Sequence, residues 1–217
     1  MFKKLQPFIL TAILTIAIVC GFYPIFSSLF IQFNQVHFSD VSFAKSPEHQ
    51  ISVQTVYYSV TGKTANELRS QLNQRGVIHP PSGQCFDGYT NWRVNWNYRY
   101  QTQGNTCRVG SANVSTNIKI TLPKWKRPSS ISSGLKNRWN RYIAALEVHE
   151  NGHKKNGLDA GKDILQTLRS MSAYPTCEEL GLAANVAADE VIKIYNQKDI
   201  EYDRVTEHGR TQGARFP

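Results

Sequence analysis

His149-Glu150-Asn151-Gly152-His153 is an H-E-x-x-H arrangement. In a helix, residues four apart share a face, so His149 and His153 can present two imidazole nitrogens to one metal ion. The ion expected from this spacing is Zn²⁺, with Glu150 beside it to take a proton from an activated water. The chemistry is hydrolytic, of the zinc-peptidase kind. The competing reading is a solvated helix face that carries two histidines by coincidence. The context favours a site. Ser132 and Ser133 offer N-caps, and Leu135, Trp139, Ile143 and Leu146 recur at steps of three and four. That stripe runs on into Glu150 and His153, so the motif ends a core-facing surface. Gly152 leaves room beside the ion, and Gly157 is a natural C-cap one turn later.

Two histidines do not complete a catalytic zinc site, which generally has three protein ligands and an open position. Downstream candidates are of three kinds. Asp159 lies six residues past His153. Glu178, Glu179, Asp189 and Glu190 would serve if the ligand came from a later helix. His208, followed by Gly209, is the one histidine after the motif. Spacing alone leaves the choice open.

The elements that must position these groups show a change of period along the chain. Ile51 to Val60 alternates as a strand, and Thr64 to Arg75 is expected to be a helix stopped by Gly76. Val77 to Asp87 is a loop with two prolines and a glycine. Tyr89 to Gln101 is an aromatic strand in which Trp92, Val94, Trp96, Tyr98 and Tyr100 alternate with polar residues. Such a row could stack sugars, but clean alternation fits the covered face of a sheet better. A turn over Thr102–Thr106 leads to a second strand, Cys107 to Leu122, with Val114, Thr116, Ile118 and Ile120 on one face. After a linker come three expected helices, over 133–156, 158–172 and 177–198. The fold class is therefore α+β: an antiparallel sheet with a long hairpin, then a helical half carrying the H-E-x-x-H helix.

The hairpin also limits cysteine pairing. A turn centred near Gly104 sets Cys107 opposite Gln101 and leaves Cys85 at the far end of the ladder. At about 3.3 Å per residue the two sulfurs stand tens of ångströms apart, beyond any disulfide. Cys107–Cys177 is the preferred pair, with Cys85 the odd thiol.

The first 44 residues stand apart. Lys3 and Lys4 precede an uncharged, mostly apolar run from Phe8 to Phe33, and small residues in Ser42-Phe43-Ala44 suit a signal peptidase. The run is also long enough to span a bilayer. Residues 1–44 are thus a signal peptide or an N-terminal membrane anchor, and 45–217 a single exported domain, periplasmic, secreted or tethered. A lipoprotein site at Cys20 is disfavoured by the bulky Val19. The net charge of +9 in 217 residues is diffuse. It forms no basic stripe with a nucleic-acid motif, so no nucleic-acid partner is expected.

The chain resembles a bacterial family catalogued as domain of unknown function 922 and described as predicted secreted zinc-dependent proteases. The resemblance is carried by Gly88-Tyr89-Thr90-x-Trp92-x-Val94-x-Trp96, Leu122-Pro123-x-Trp125, Trp139-x-Arg141-Tyr142 and the H-E-x-x-H motif. Most specific is Tyr202-Asp203-x-x-Thr206-x-His208-Gly209-x-x-x-Gly213-Ala214. It covers roughly residues 50–216. It implies a zincin-like metallopeptidase with a peptide or protein substrate, and His208 as the third ligand beside His149 and His153. Glu150 would be the base. Tyr202 and Asp203, close to His208 in sequence, would steady an oxyanion and orient a ligand imidazole. Two other readings remain: an exported module with a structural zinc closed by Asp159 or Asp203, and a cell-wall amidase.

Overall fold

The computed structural model describes residues 48–79 and 83–217. The apolar run, the cleavage motif and Cys20 lie outside the described residues. Strand β1 (His49–Val60) leads to helix α1 (Ala65–Arg75), whose N-cap Thr64 accepts from Glu67 N–H and which ends at Gly76. Leu68 and Leu72, one turn apart, are fully buried. The expected loop of residues 77–87 contains two short paired strands, β2 (Val77–Ile78) and β3 (Cys85–Phe86).

Strands β4 (Tyr89–Gln103) and β5 (Thr106–Trp125) form the long antiparallel hairpin. Gly104 turns it at φ 58°, so Cys107 faces Thr102, one residue from the expected Gln101. The register also shifts between Arg99 and Tyr100. There Gly110 is the extra residue on β5, which re-aims the hairpin tip. Beyond this bulge, Val114, Thr116, Ile118, Ile120 and Leu122 form one buried row.

The sheet is not wholly antiparallel. Its order is β1-β5-β4, and β1 runs parallel to β5, from His49 against Val114 to Val60 against Trp125. A parallel neighbour requires a crossover, which α1, β2, β3 and the hairpin supply together. β1 and β4 are both edges, and Ile51, Val53 and Tyr57 on β1 remain exposed.

The helical half has two long helices where three were expected. Helix α2 (Ser133–Ser170) starts at the N-cap Ser132 and continues through Gly157 without a break. Its buried residues recur every three or four positions, from Leu135 through His149, Glu150, His153 and Gly157 to Leu168. Gly157 is there for packing and not as a C-cap. A Cβ on it would stand 2.6 Å from the Trp92 ring, and one on Gly161 would stand 2.0 Å from Thr116 Oγ1. The small residues let the sheet lie directly on the helix.

Helix α3 (Cys177–Thr206) runs eight residues past the expected end and packs beside α2 through Ala184, Ala188 and Tyr195. The Cys107–Cys177 disulfide ties its first residue to the hairpin tip, and Cys85 is a free, exposed thiol. Trp92, Trp96 and Tyr98 lie half-buried against this core, and Tyr98 donates to Gly181 O. The aromatic strand therefore packs on helices. Among the described residues no helix is long and apolar enough to cross a membrane.

Candidate metal centre

The stripe on α2 brings His149, Glu150 and His153 inward, and all three are buried. The last two turns of α3 cross this surface. They place Asp199, Tyr202 and Asp203 against it, with the i, i+4 spacing of the two aspartates on one face. His149 Nε2 lies 3.2 Å from Asp203 Oδ1, and His153 Nε2 lies 3.1 Å from the same oxygen. Two atoms each about 2.0–2.1 Å from one tetrahedral ion stand roughly 3.3 Å apart, so each imidazole nitrogen is spaced from the carboxylate oxygen as ligands are, and all three atoms lie within 4.8 Å of one another. They form the one cluster of potential metal ligands found among the described residues.

The outer nitrogens are already engaged. His153 Nδ1 donates to Asp199 Oδ1 at 2.9 Å, and that carboxylate also accepts from Trp92 Nε1 and Asn156 Nδ2. His149 Nδ1 lies 3.1 Å from Gln212 Oε1, on the short 3₁₀ turn Arg210–Gln212. Each ring thus turns its Nε2 to the cluster, with a partner fixing ring orientation in the way of known metal-binding histidines. The donor set, two imidazoles and a carboxylate, suits Zn²⁺.

The same contacts shape the charges. Burial draws the His153 pKa down, but hydrogen bonds to Asp199 and Asp203 and their charges together lift it to about 10. Burial would raise that of Asp203. Hydrogen bonds from His149 and His153, with the charges of His153 and His208, instead hold it well below the usual carboxylate range. Glu150 moves the other way, because desolvation raises its pKa against the lowering effect of its Thr90 hydrogen bond and the nearby histidines.

Glu150 is held by the start of β4. Thr90 Oγ1 donates to Glu150 Oε2 at 2.7 Å, and Gly88 is so close that a Cβ there would sit 2.6 Å from Oε1. Glu150 and the cluster line a cleft of about 680 Å³, together with Phe86, Tyr89, Asn91, Leu146 and Ile200.

The residues singled out from sequence fall in different places. His208 lines the cleft with its Nδ1 3.4 Å from Asp203 Oδ1, but the close cluster is His149, His153 and Asp203. Its backbone, with that of Glu207 and Gly209, has positive φ, closing the helix so that the chain turns back onto His149. Tyr202 stacks on the His149 ring, with centroids 5.1 Å apart and planes at 11°. Its hydroxyl accepts from Gln212 Nε2. The space above Gly152 is filled by this ring, since a Cβ there would be 2.3 Å from Tyr202 Cζ. Asp159 pairs with Lys155 along α2, and Glu178, Glu179, Asp189 and Glu190 are exposed on α3. Asp199 and Gln212 were not singled out from sequence. Asp199 could have been found from its i, i+4 spacing to Asp203; nothing local marks Gln212.

These features define a mixed α+β protein with a candidate metal centre in a cleft between its sheet and its helices. A family model described as "Bacterial protein of unknown function (DUF922)" matches residues 55–209, and the chain belongs to that family. No curated protein and no solved structure matches the chain.

Proposed function

We propose that this chain is an exported zinc-dependent metallopeptidase. The observation that supports this most strongly is the convergence of His149 Nε2 and His153 Nε2 on Asp203 Oδ1, with the buried Glu150 carboxylate beside them in an open cleft. His149, His153 and Asp203 would hold the ion, so that the third ligand comes from α3 and His208 stands next to it. A Zn²⁺ bound there supplies Lewis acidity and lowers the pKa of water at the site.

The remaining steps belong to the chain's own residues. Glu150 takes the proton of the attacking water and delivers it to the leaving amine. Burial raises its proton affinity, which suits a group that must hold a proton between two steps. Thr90 keeps one carboxylate oxygen fixed and Gly88 leaves the other room. The free edge of β4 begins at Tyr89, beside this base, and can take an extended peptide as an added strand.

A structural zinc is the second reading, and the 3.4 Å contact between His208 and Asp203 is what favours it: His208 would close a fourth position. Elemental analysis and hydrolysis of a denatured protein substrate separate the two. The peptidase reading expects about one zinc per chain, near-complete loss in Asp203→Ala, and retained zinc in His208→Ala. Glu150→Gln should keep zinc and lose about 10²–10⁴ in rate, the usual contribution of a general base. Loss of zinc in His208→Ala, with no turnover by the wild type, would support the structural site instead.

A further inference from the structure

Four rings line one side of the cleft in sequence of contact. Tyr89 lies 5.7 Å from His79, His79 lies 6.1 Å from Phe86, and Phe86 lies 5.1 Å from His208. The last of these touches Asp203. The wall therefore runs from the metal cluster to the first residue of the free β4 edge. Gly88, between Phe86 and Tyr89, stands against both Glu150 and Leu146, so the wall is on the side of the base. Leu146, one helical turn before Glu150, gives it an apolar floor.

The charged groups nearby are already satisfied. Arg69 makes two hydrogen bonds to the Asp87 carboxylate, which also accepts from Tyr142 at 2.8 Å. Tyr58 donates to the Asp87 carbonyl at 2.7 Å. Arg69 and Asp87 thus neutralise each other, and a charged substrate side chain would find neither unpaired. Aromatic faces beside an apolar floor recover free energy from covering apolar groups.

We propose that Phe86, His79 and Tyr89, over Leu146, form the subsite for a bulky apolar side chain of an extended peptide, the residue next to the bond cleaved. This rests on the peptidase reading of the same site. The full-length protein loaded with Zn²⁺ is incubated with capped peptides of randomised sequence, and the new termini are read by mass spectrometry. Phe, Tyr, Leu and Met are expected to be enriched at one position adjacent to the scissile bond. Phe86→Ser should lower kcat/KM on such peptides about tenfold or more, the scale of one lost apolar contact in a pocket. The loss should be several-fold larger on these peptides than on an alanine-containing one at equal zinc content, and Phe86→Leu should restore most of it.

Cleavage without apolar enrichment, or equal loss on apolar and alanine peptides in Phe86→Ser, overturns the inference. If the wild type opens no peptide, the peptidase reading falls and binding judges the wall. Equilibrium dialysis of N-acetyl-phenylalanine amide against N-acetyl-alanine amide is then the measurement. A preference for phenylalanine that Phe86→Ser removes sustains the subsite, and equal or absent binding overturns it.

Discussion

Zinc binding at this site should release a proton, and the amount can be worked from His153. In the metal-free protein its pKa is about 10, because two aspartates hold the charged ring against the cost of burial. Zn²⁺ needs the neutral imidazole. At pH 7 the neutral fraction is about 10⁻³, so apparent affinity is lowered roughly a thousandfold from its intrinsic value, or about 4 kcal/mol at 1.36 kcal/mol per unit. Log affinity should therefore rise by about one unit per pH unit between roughly pH 6.5 and 9. Calorimetric titration of zinc in two buffers of different ionisation enthalpy measures the released proton directly, and about one per zinc is expected near pH 7.5. Asp199→Asn removes one of the two carboxylates on His153. It should reduce proton release at that pH while weakening intrinsic affinity about 10- to 100-fold, the usual effect of losing such a partner. Zinc binding with no proton release and no pH dependence would refute the reasoning, since His153 would then be neutral in the free protein or absent from the site.

Metal-free protein should lose stability as pH rises. The folded pKa of His153, about 10, lies above its ordinary value of 6.5, so the stabilisation is complete below pH 6.5 and is lost as pH climbs through 10. Thermal unfolding at pH 6 and pH 10 should show a lower Tm at the higher pH, and the difference should shrink in Asp199→Asn. Gly152→Ala should destabilise by about 1–3 kcal/mol in denaturant titrations, although alanine is the better helix former. The added Cβ meets the Tyr202 ring at 2.3 Å, and displacing that ring from His149 should also lower zinc affinity.

The parts of this fold legible in the sequence are those where burial and apolarity coincide. The hairpin showed in the strict alternation from Trp92 to Tyr100, its turn at Gly104 separated Cys85 from Cys107, and the preferred pair, Cys107–Cys177, is the bond that forms. The first turns of α2 were legible for the same reason. Gly157 was misleading because a helix stop and a close helix–sheet contact call for the same residue, and local sequence does not register Trp92 packing on it. The parallel pairing of β1 rests on contacts with β5, more than fifty residues away, which period alone does not reveal.

The end of α3 was hardest to see, because its inward face is polar. From Gln197 to Arg204 the chain is mostly charged, so apolar periodicity vanishes and with it the sign of a helix. The inward face is still present, but it is polar: Asp199, Tyr202 and Asp203 replace the alanines that pack earlier on the same helix. A helix buried against imidazoles needs carboxylates there, because apolar side chains would leave the His153 N–H groups unpaired at a cost of about 1–3 kcal/mol each. The motif on α2 was visible because it has a fixed spacing. Its partner on α3 was visible only as isolated residues, and the choice of His208 as third ligand came from the family resemblance and not from spacing. Only the helical register sets Asp203 within reach of both imidazoles, with His208 3.4 Å from it beyond the helix end, while Tyr202 on the same turn fills the space above Gly152.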